Sequence, residues 1–362
     1  MSLLALLAAL AASSEPSTPP AKALAPSEIV TSAPAADWVA IAPSELLVMD
    51  LAPDAAGRPR RVVIQLLPAP FSQGWIGNIR KLAAAHWWDG TSINRAQDNY
   101  VVQWGDPDGE DKAKAKALPE GLAVVPQAQY TVGESEMYGE PETVEIASSA
   151  TAEETSAYAA ALAASIAAAA AYGKFVDDTP PDFGDPPWWS RDSYSQGIQF
   201  HKGWPIAFRL MGFPTVGTPA ELSGQRYWPV HCYGTVGVGR NEPPDTGTGA
   251  ELYAVIGHAP RQLDRNIAVV GRVIEGMEHL STLPRGTGDL GFYKTAPERT
   301  PIRAIRIGTD VPDLPGFEYL GTESASFARY ADARANRRDA FYIQPAGGVD
   351  ICNLPVPIRR RK

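Results

Sequence analysis

The sequence predicts a mainly β protein with one alanine-rich helical segment set into it. Three observations carry that expectation. The 362 residues include 33 prolines and 32 glycines, more than an all-helical chain carries. Short β-branched and aromatic runs such as Val62 to Leu67 and Tyr100 to Gln103 have strand character. Alanine, the residue with the highest helix propensity, dominates residues 151–172. With 44% hydrophobic residues the chain is long enough for one large or two ordinary domains.

From the amino end, Leu3 to Ala12 is an apolar run ended by Ser13-Ser14, with Ala9-Leu10-Ala11 as a small-residue cleavage site. Residues 1–12 therefore read as a signal peptide, which places the protein in the periplasm or outside the cell; a leader that does not function would leave it in the cytoplasm. Residues 13–44 are rich in Ala, Pro and Ser without periodicity and read as a flexible linker. Strand patterns begin at Glu45. Trp75 to Trp87 reads as a helix, because Ile76, Ile79, Leu82 and Ala83 recur at helical spacing.

Asn94 to Asp106 (Asn-Arg-Ala-Gln-Asp-Asn-Tyr-Val-Val-Gln-Trp-Gly-Asp) is the most informative stretch. It sets one arginine and one glutamine in an aromatic and β-branched pattern. With period two, Tyr100 and Val102 share one face while Val101 and Gln103 share the other, and Gly105-Asp106 ends the run. An arginine entering such a strand needs a polar partner.

The stretch Ile93 to Ala96 followed by Tyr100 to Asp106 resembles the signature strand of the cyclophilin-type peptidyl-prolyl isomerases, aromatic-His-Arg-Val, a turn, then Phe-Met-Ile-Gln-Gly-Gly-Asp. Other blocks follow in that family's order. Val62 to Leu67 resembles its opening strand, and Asn78 to Leu82 its Asn-Phe-x-x-Leu helix. Gly234 to Arg240 resembles Gly-x-Val-x-Met-Ala-Arg. Gly249 to Tyr253 stands where Gly-Ser-Gln-Phe-Phe is usual. Leu263-Asp264 followed by Val270 to Met277 repeats the closing motif. The resemblance covers 60–106 and 229–308, and it implies a closed eight-stranded antiparallel β-barrel capped by two helices.

A cyclophilin-like domain is thus expected over 45–310, with residues 107–228 as an insertion and 311–362 as a C-terminal extension. The insertion begins acidic, then carries the helix opened by Thr151-Ala152-Glu153-Glu154, a capping-box pattern. Ser156 to Gly173 lacks charge, yet alanine gains little from lipid and no basic flank marks a cytoplasmic side, so membrane integration is not expected. Pro180-Pro181, Trp188-Trp189 and Pro205 read as an apolar, loop-rich cover for the barrel. In the extension, 331–340 reads as a short helix and Arg359 to Lys362 as a solvated basic end.

The resemblance implies isomerisation of X-Pro bonds in protein folding, with proline-containing peptides or unfolded clients as partners and no cofactor. Arg95 falls at the catalytic position, with Gln103 supporting it. Tyr100, Val101, Tyr253, Leu263 and Ile267 fall at the proline-pocket positions, and Gly239, Arg240 and Glu251 where the peptide backbone is held. Several positions depart from the pattern. Tyr100 and Tyr253 replace phenylalanines, and their hydroxyls need partners if buried. Glu251 replaces a glutamine, an anion able to draw Arg95 from substrate. Ile267 and Asn94 replace histidines, Gln262 a tryptophan, and Trp104 a glycine. These departures motivate an alternative reading, a non-catalytic chaperone or scaffold that binds proline segments on the same fold.

Other classes are excluded. A net charge of −9 gives no basic footprint for nucleic acid. Gly286 to Gly291 satisfies the dinucleotide Gly-x-Gly-x-x-Gly expression, but it lies between helix-like and strand residues, the reverse of the fingerprint, and reads as a glycine-rich loop. The five histidines, His86, His201, His231, His258 and His279, lack metal-ligand spacing. Cys232 and Cys352 either pair in an oxidising compartment or remain thiols; a count of two does not decide.

Overall fold

The computed structural model describes residues 23–139, 192–211 and 224–361. The leader of residues 1–12, the helix expected over 151–172 and the proline and tryptophan cluster at 180–189 lie outside the described residues. In chain order the elements are α1 (Pro26–Ser32), β1 (Trp38–Ile41), β2 (Leu46–Leu51), β3 (Arg60–Leu66), α2 (Gln73–Ala84), β4 (Ser92–Ala96), β5 (Val101–Gly105) and α3 (Glu134–Tyr138). After them come β6 (Gly197–His201), β7 (Trp204–Leu210), β8 (Gln225–Pro229), β9 (Thr235–Val238), β10 (Leu252–Val255) and β11 (Val269–Glu275). The series ends with α4 (Glu278–Ser281), β12 (Thr300–Ile307), β13 (Phe317–Leu320), α5 (Ala325–Ala335) and β14 (Ile358–Arg360).

Eight strands close into an antiparallel barrel in the order β10-β5-β4-β12-β2-β3-β11-β9. Alternation fills it: Leu47, Met49, Val62, Ile64, Val102, Trp104, Val236, Val238, Leu252 and Ala254 all point into one core. The helix α2 caps it with Trp75, Ile76, Ile79, Leu82 and Ala83, and the single-turn α4 adds Leu280. Each buried valine, leucine, isoleucine or methionine among them contributes about 1.5–3 kcal/mol by leaving water. The β3 run is apolar at successive positions because both faces are covered. Val62 and Ile64 face the barrel core, while Val63 packs outward with Ile41, Leu46 and Phe317.

That outer cover is assembled from three separate parts of the chain. The strands β1, β13 and β14 form one three-stranded sheet, and β6, β7 and β8 another. Ile29 and Trp38 share a core with Leu320, Phe327, Tyr330, Leu354 and Val356, and Phe200 packs against it. The Phe200 and Phe327 rings meet edge to face at 4.9 Å. Cys232 and Cys352 form a disulfide that ties the extension to the start of β9's approach. Arg272 of β11 joins barrel and cover. Its guanidinium lies 4.2 Å from the Trp204 ring centre and donates to Gln65 Oε1 and the Gly203 carbonyl.

Four expectations need correction. Residues 26–41, read as part of a flexible linker, are folded: Pro26 opens α1, Ile29 is buried, and β1 pairs with β13. Pro205, read as part of a loop-rich cover, lies instead in β7, which pairs with β6 and β8 in a sheet. Arg359 and Arg360, read as part of a solvated basic end, are instead tied down: β14 pairs with β13 and the two arginines bond Glu318 and Glu275, although the Arg360 side chain stays exposed. The short helix of the extension runs over Ala325–Ala335, capped by Ser324, rather than 331–340. Among the described residues, no helix is long and apolar enough to cross a membrane.

Candidate active site

The two strands that line the core with Val102, Trp104, Leu252 and Ala254 present their alternate residues on the opposite face. Val101 stands opposite Val255, and Gln103 opposite Tyr253. Val101, Tyr253 and Val255 form a small apolar cluster of their own, joined by the half-buried Tyr100, Leu263 and Ile267. Leu263 and Ile267 come from the β10–β11 connection, where a 3-10 turn and an Ile267 N–H bond to the Leu263 carbonyl (3.1 Å) hold them. All five residues expected at a proline pocket therefore meet in one place.

A bulge brings Arg95 to the same face. In the pairing of β4 with β5, Ile93 faces Trp104 and Arg95 faces Gln103, so Asn94 has no opposite number. Regular pairing would have set Arg95 opposite Val102, on the core side. Asn94 stabilises the irregularity: its side-chain amide donates to the Gly105 carbonyl (3.2 Å) and its oxygen accepts from the Ser92 hydroxyl (2.6 Å).

The Arg95 guanidinium is held by uncharged groups. Its Nε donates to the Leu290 carbonyl (2.7 Å), Nη1 to Gln103 Oε1 (3.3 Å) and Nη2 to Gln97 Oε1. The Tyr100 and Phe292 rings flank it, with centres at 5.6 and 5.2 Å. Desolvation pushes its pKa below the usual arginine value, but an arginine stays protonated throughout the working range. Three of its five N–H bonds are engaged, which leaves two for another acceptor.

Glu251 does not compete for Arg95. Its Oε1 accepts the Asp106 backbone N–H at 2.8 Å, and Gln103 also donates to it. Burial, with Asp106 and Glu110 nearby, pushes its pKa up to about 8, so at neutral pH the carboxyl is largely protonated and uncharged, like the glutamine it replaces. Gly239 lies against Glu251 and bonds its carbonyl (2.8 Å). Arg240 braces the pocket loop through the Asn266 and Asn241 carbonyls (3.0 and 2.6 Å).

The Tyr253 hydroxyl also has a partner, one that sequence reasoning missed. His231 is fully buried; its Nε2 lies 2.9 Å from Tyr253 Oη and its Nδ1 2.9 Å from Asp264 Oδ1. A carboxylate only accepts, so Nδ1 donates to Asp264, and Nε2 is left as the hydrogen-bond partner of the tyrosine hydroxyl. Asp264 in turn accepts from Arg261 Nε (2.6 Å), and Arg261 forms a two-pronged bond to Asp192 at 2.9 and 2.8 Å. The ring of Tyr253 fits because residue 237 is glycine: a Cβ there would lie 2.3 Å from Tyr253 Oη. No spacing in the sequence links His231 to Tyr253. Phe292 and the Leu290 carbonyl were missed as well, although the glycine-rich 286–291 run marked their loop.

The family model described as cyclophilin type peptidyl-prolyl cis-trans isomerase/CLD matches residues 74–308, more than half of the chain. The chain belongs to the cyclophilin-type peptidyl-prolyl cis-trans isomerases. Among solved structures, the cyclophilin AquaCyp293 from Hirschia baltica is similar with a TM-score of 0.55 and 17% identity, over 90% of this chain and 94% of that one. A cyclophilin type peptidyl-prolyl cis-trans isomerase from Cryptosporidium parvum matches at 11% identity over 72% of this chain and 97% of that one, with a TM-score of 0.33. At such identity the Hirschia likeness concerns the fold, and it extends beyond the barrel into the added segments. No curated protein matches the sequence.

Proposed function

We propose that this cyclophilin isomerises X-Pro bonds by seating the proline ring against Val101, Tyr253, Leu263 and Ile267 while Arg95 stabilises the twisted amide. Amide resonance creates a rotation barrier of about 18–20 kcal/mol. At the top of that barrier the nitrogen lone pair is localised, and a fixed cationic donor stabilises it or the prolyl carbonyl oxygen. Neither proton transfer nor a covalent intermediate is needed. The observation that carries the reading is the Arg95 guanidinium itself: desolvated, engaged only by neutral acceptors, with N–H bonds to spare beside an apolar pocket.

Gln103 orients Arg95 from one end of its amide and Glu251 from the other. The competing reading, a proline-binding module without turnover, drew its main support from Glu251 as a rival anion, and that support weakens when the carboxyl is neutral and bonded elsewhere. The test is the cis-to-trans rate of a short X-Pro peptide with the parent protein and with Arg95→Ala. Acceleration lost in the variant supports catalysis; binding without acceleration by the parent would favour the module.

The same proposal extends to location. The Cys232–Cys352 disulfide suits an oxidising compartment and supports export by the leader. Mass spectrometry of the mature amino terminus checks it: a chain that keeps residues 1–12 argues against export.

A further inference from the structure

The loop after α4 does more than supply a carbonyl to Arg95. Its ends are fixed to β4: Gly286 N–H bonds the Ala96 carbonyl and Tyr293 N–H the Asn94 carbonyl, both at 2.9 Å. Tyr293 is buried and its hydroxyl donates to the Pro284 carbonyl (2.6 Å). Between these anchors the loop runs close over β4, where a Cβ on Gly291 would lie 2.6 Å from Gln97 Cα. The loop is therefore preformed, yet at its crest Leu290 is 66% and Phe292 41% exposed.

Leu290 also adopts φ 53°, ψ 19°, a left-handed conformation that glycine or asparagine occupies at lower cost. A strained, exposed leucine beside a catalytic arginine serves neither core packing nor solubility. Strain of this kind is retained where a surface is used.

Position decides what would use it. Across the sheet the order is Phe292, Arg95, Gln103, Tyr253 and Gly237, given by the bridge of Arg95 with Phe292 and the strand registers. The proline pocket lies on the Tyr253 side of Arg95 and Phe292 on the other, with Leu290 two residues before Phe292 on the same loop and its carbonyl bonded to Arg95. Arg95 has two acceptors to choose between on the substrate, the prolyl nitrogen and the prolyl carbonyl oxygen. In the pose taken here it bonds the oxygen, which would set the carboxyl side of the proline at Arg95 and direct the chain leaving it toward Leu290 and Phe292.

We propose that Leu290 and Phe292 form an apolar subsite for the side chain that follows the proline, so that this cyclophilin selects X-Pro segments continued by a large apolar residue. The inference rests on the assignment of Arg95 and the proline pocket above. It commits to an extended, unfolded client as occupant, because the subsite is continuous with that pocket.

Two peptides test it, identical except for Leu or Gly after the proline. The parent is expected to show kcat/KM about five- to tenfold higher for the Leu peptide, the scale of a partly buried leucine. In Leu290→Asn, which keeps the left-handed turn and the carbonyl that holds Arg95, that ratio is expected to fall to about one. Equal values in the parent, or an unchanged ratio in Leu290→Asn, would overturn the subsite. If the parent accelerates neither peptide, the isomerase reading fails. The subsite then stands or falls on the same Leu-to-Gly ratio measured as binding affinity by NMR titration.

Discussion

On the outer face of β5 and β10 the groups that matter sit two residues apart on neighbouring strands: Val101 and Gln103, Tyr253 and Val255. In the layer around the barrel, by contrast, Ile29, Phe200 and Phe327 meet from opposite ends and the middle of the chain. The first region follows from strand alternation and one bulge, the second from pairings that no local pattern specifies. The two regions should therefore fail differently. Damage at the outer face should change rate with stability intact, and damage to the layer should change stability with rate intact.

Arg95→Ala is the largest expected effect on rate. Loss of a preorganised electrostatic donor is worth about 10²–10³ in kcat/KM. Arg95 bonds only neutral acceptors, so denaturant unfolding should stay within roughly 1 kcal/mol of the parent. A large loss of stability would break the separation between site and scaffold.

Removing the disulfide probes the other region. Cys232 and Cys352 are 120 residues apart in sequence, and removing a native disulfide costs roughly 2–5 kcal/mol, toward the upper end for a long loop. The double variant Cys232→Ser, Cys352→Ser should unfold at lower temperature while kcat/KM at 15 °C stays within a few-fold. Cys352 lies 3.5 Å from the carbonyl of His231, which holds the pocket tyrosine. A rate collapse matching that of Arg95→Ala would mean that the layer is part of the catalytic unit.

A pH profile sharpens the comparison within the site. Glu251 has a folded pKa near 8 against an ordinary value of 4.5, so the folded state holds more protons between those limits. Its contribution to stability is complete below pH 4.5 and declines as pH rises through 8, the sign for a group with a raised folded pKa. Activity should fall on the same limb, since an anion beside Gln103 competes for its amide and draws on Arg95. Glu251→Gln should hold kcat/KM level from pH 7 to 9.5 where the parent loses several-fold; parallel profiles would refute the role.

These outcomes also explain what the sequence made visible. Val101 and Gln103 were legible because alternation assigns them to one face; Tyr100, which the same alternation sets beside Val102 although it joins Val101, and Tyr253, Leu263 and Ile267 were legible only through the resemblance. Arg95 was legible as an arginine, but its direction depends on the bulge at Asn94, which the chain signals only through an unusual residue. His231 was invisible because its partners Tyr253 and Asp264 are 22 and 33 positions away. Residues 26–41 looked unstructured because a seven-residue helix and a four-residue strand carry too little periodicity to register. Their stability comes from partners near residue 320 and beyond. Glu251 looked like an intruder because charge was read from residue type, whereas burial decides it.

The smallest effects separate two neighbours on β14. Arg359 and Arg360 each place Nε 2.6 Å from a carboxylate, of Glu318 and Glu275. Arg359 also lies over the Trp38 ring at 3.6 Å and its side chain is 31% exposed, whereas that of Arg360 is 62% exposed. Solvent and salt screen the second pair, so Arg360→Ala should leave the urea midpoint unchanged. Arg359→Ala removes a partly desolvated cation from an aromatic face that joins β1 to the last strand, and should cost about 1 kcal/mol. Equal effects would imply that the ion pairs, not the stacking on Trp38, hold the carboxyl end against the layer. A larger loss for Arg359→Ala at both low and high salt would assign the attachment to Trp38, because stacking of this kind persists where screened pairs fade.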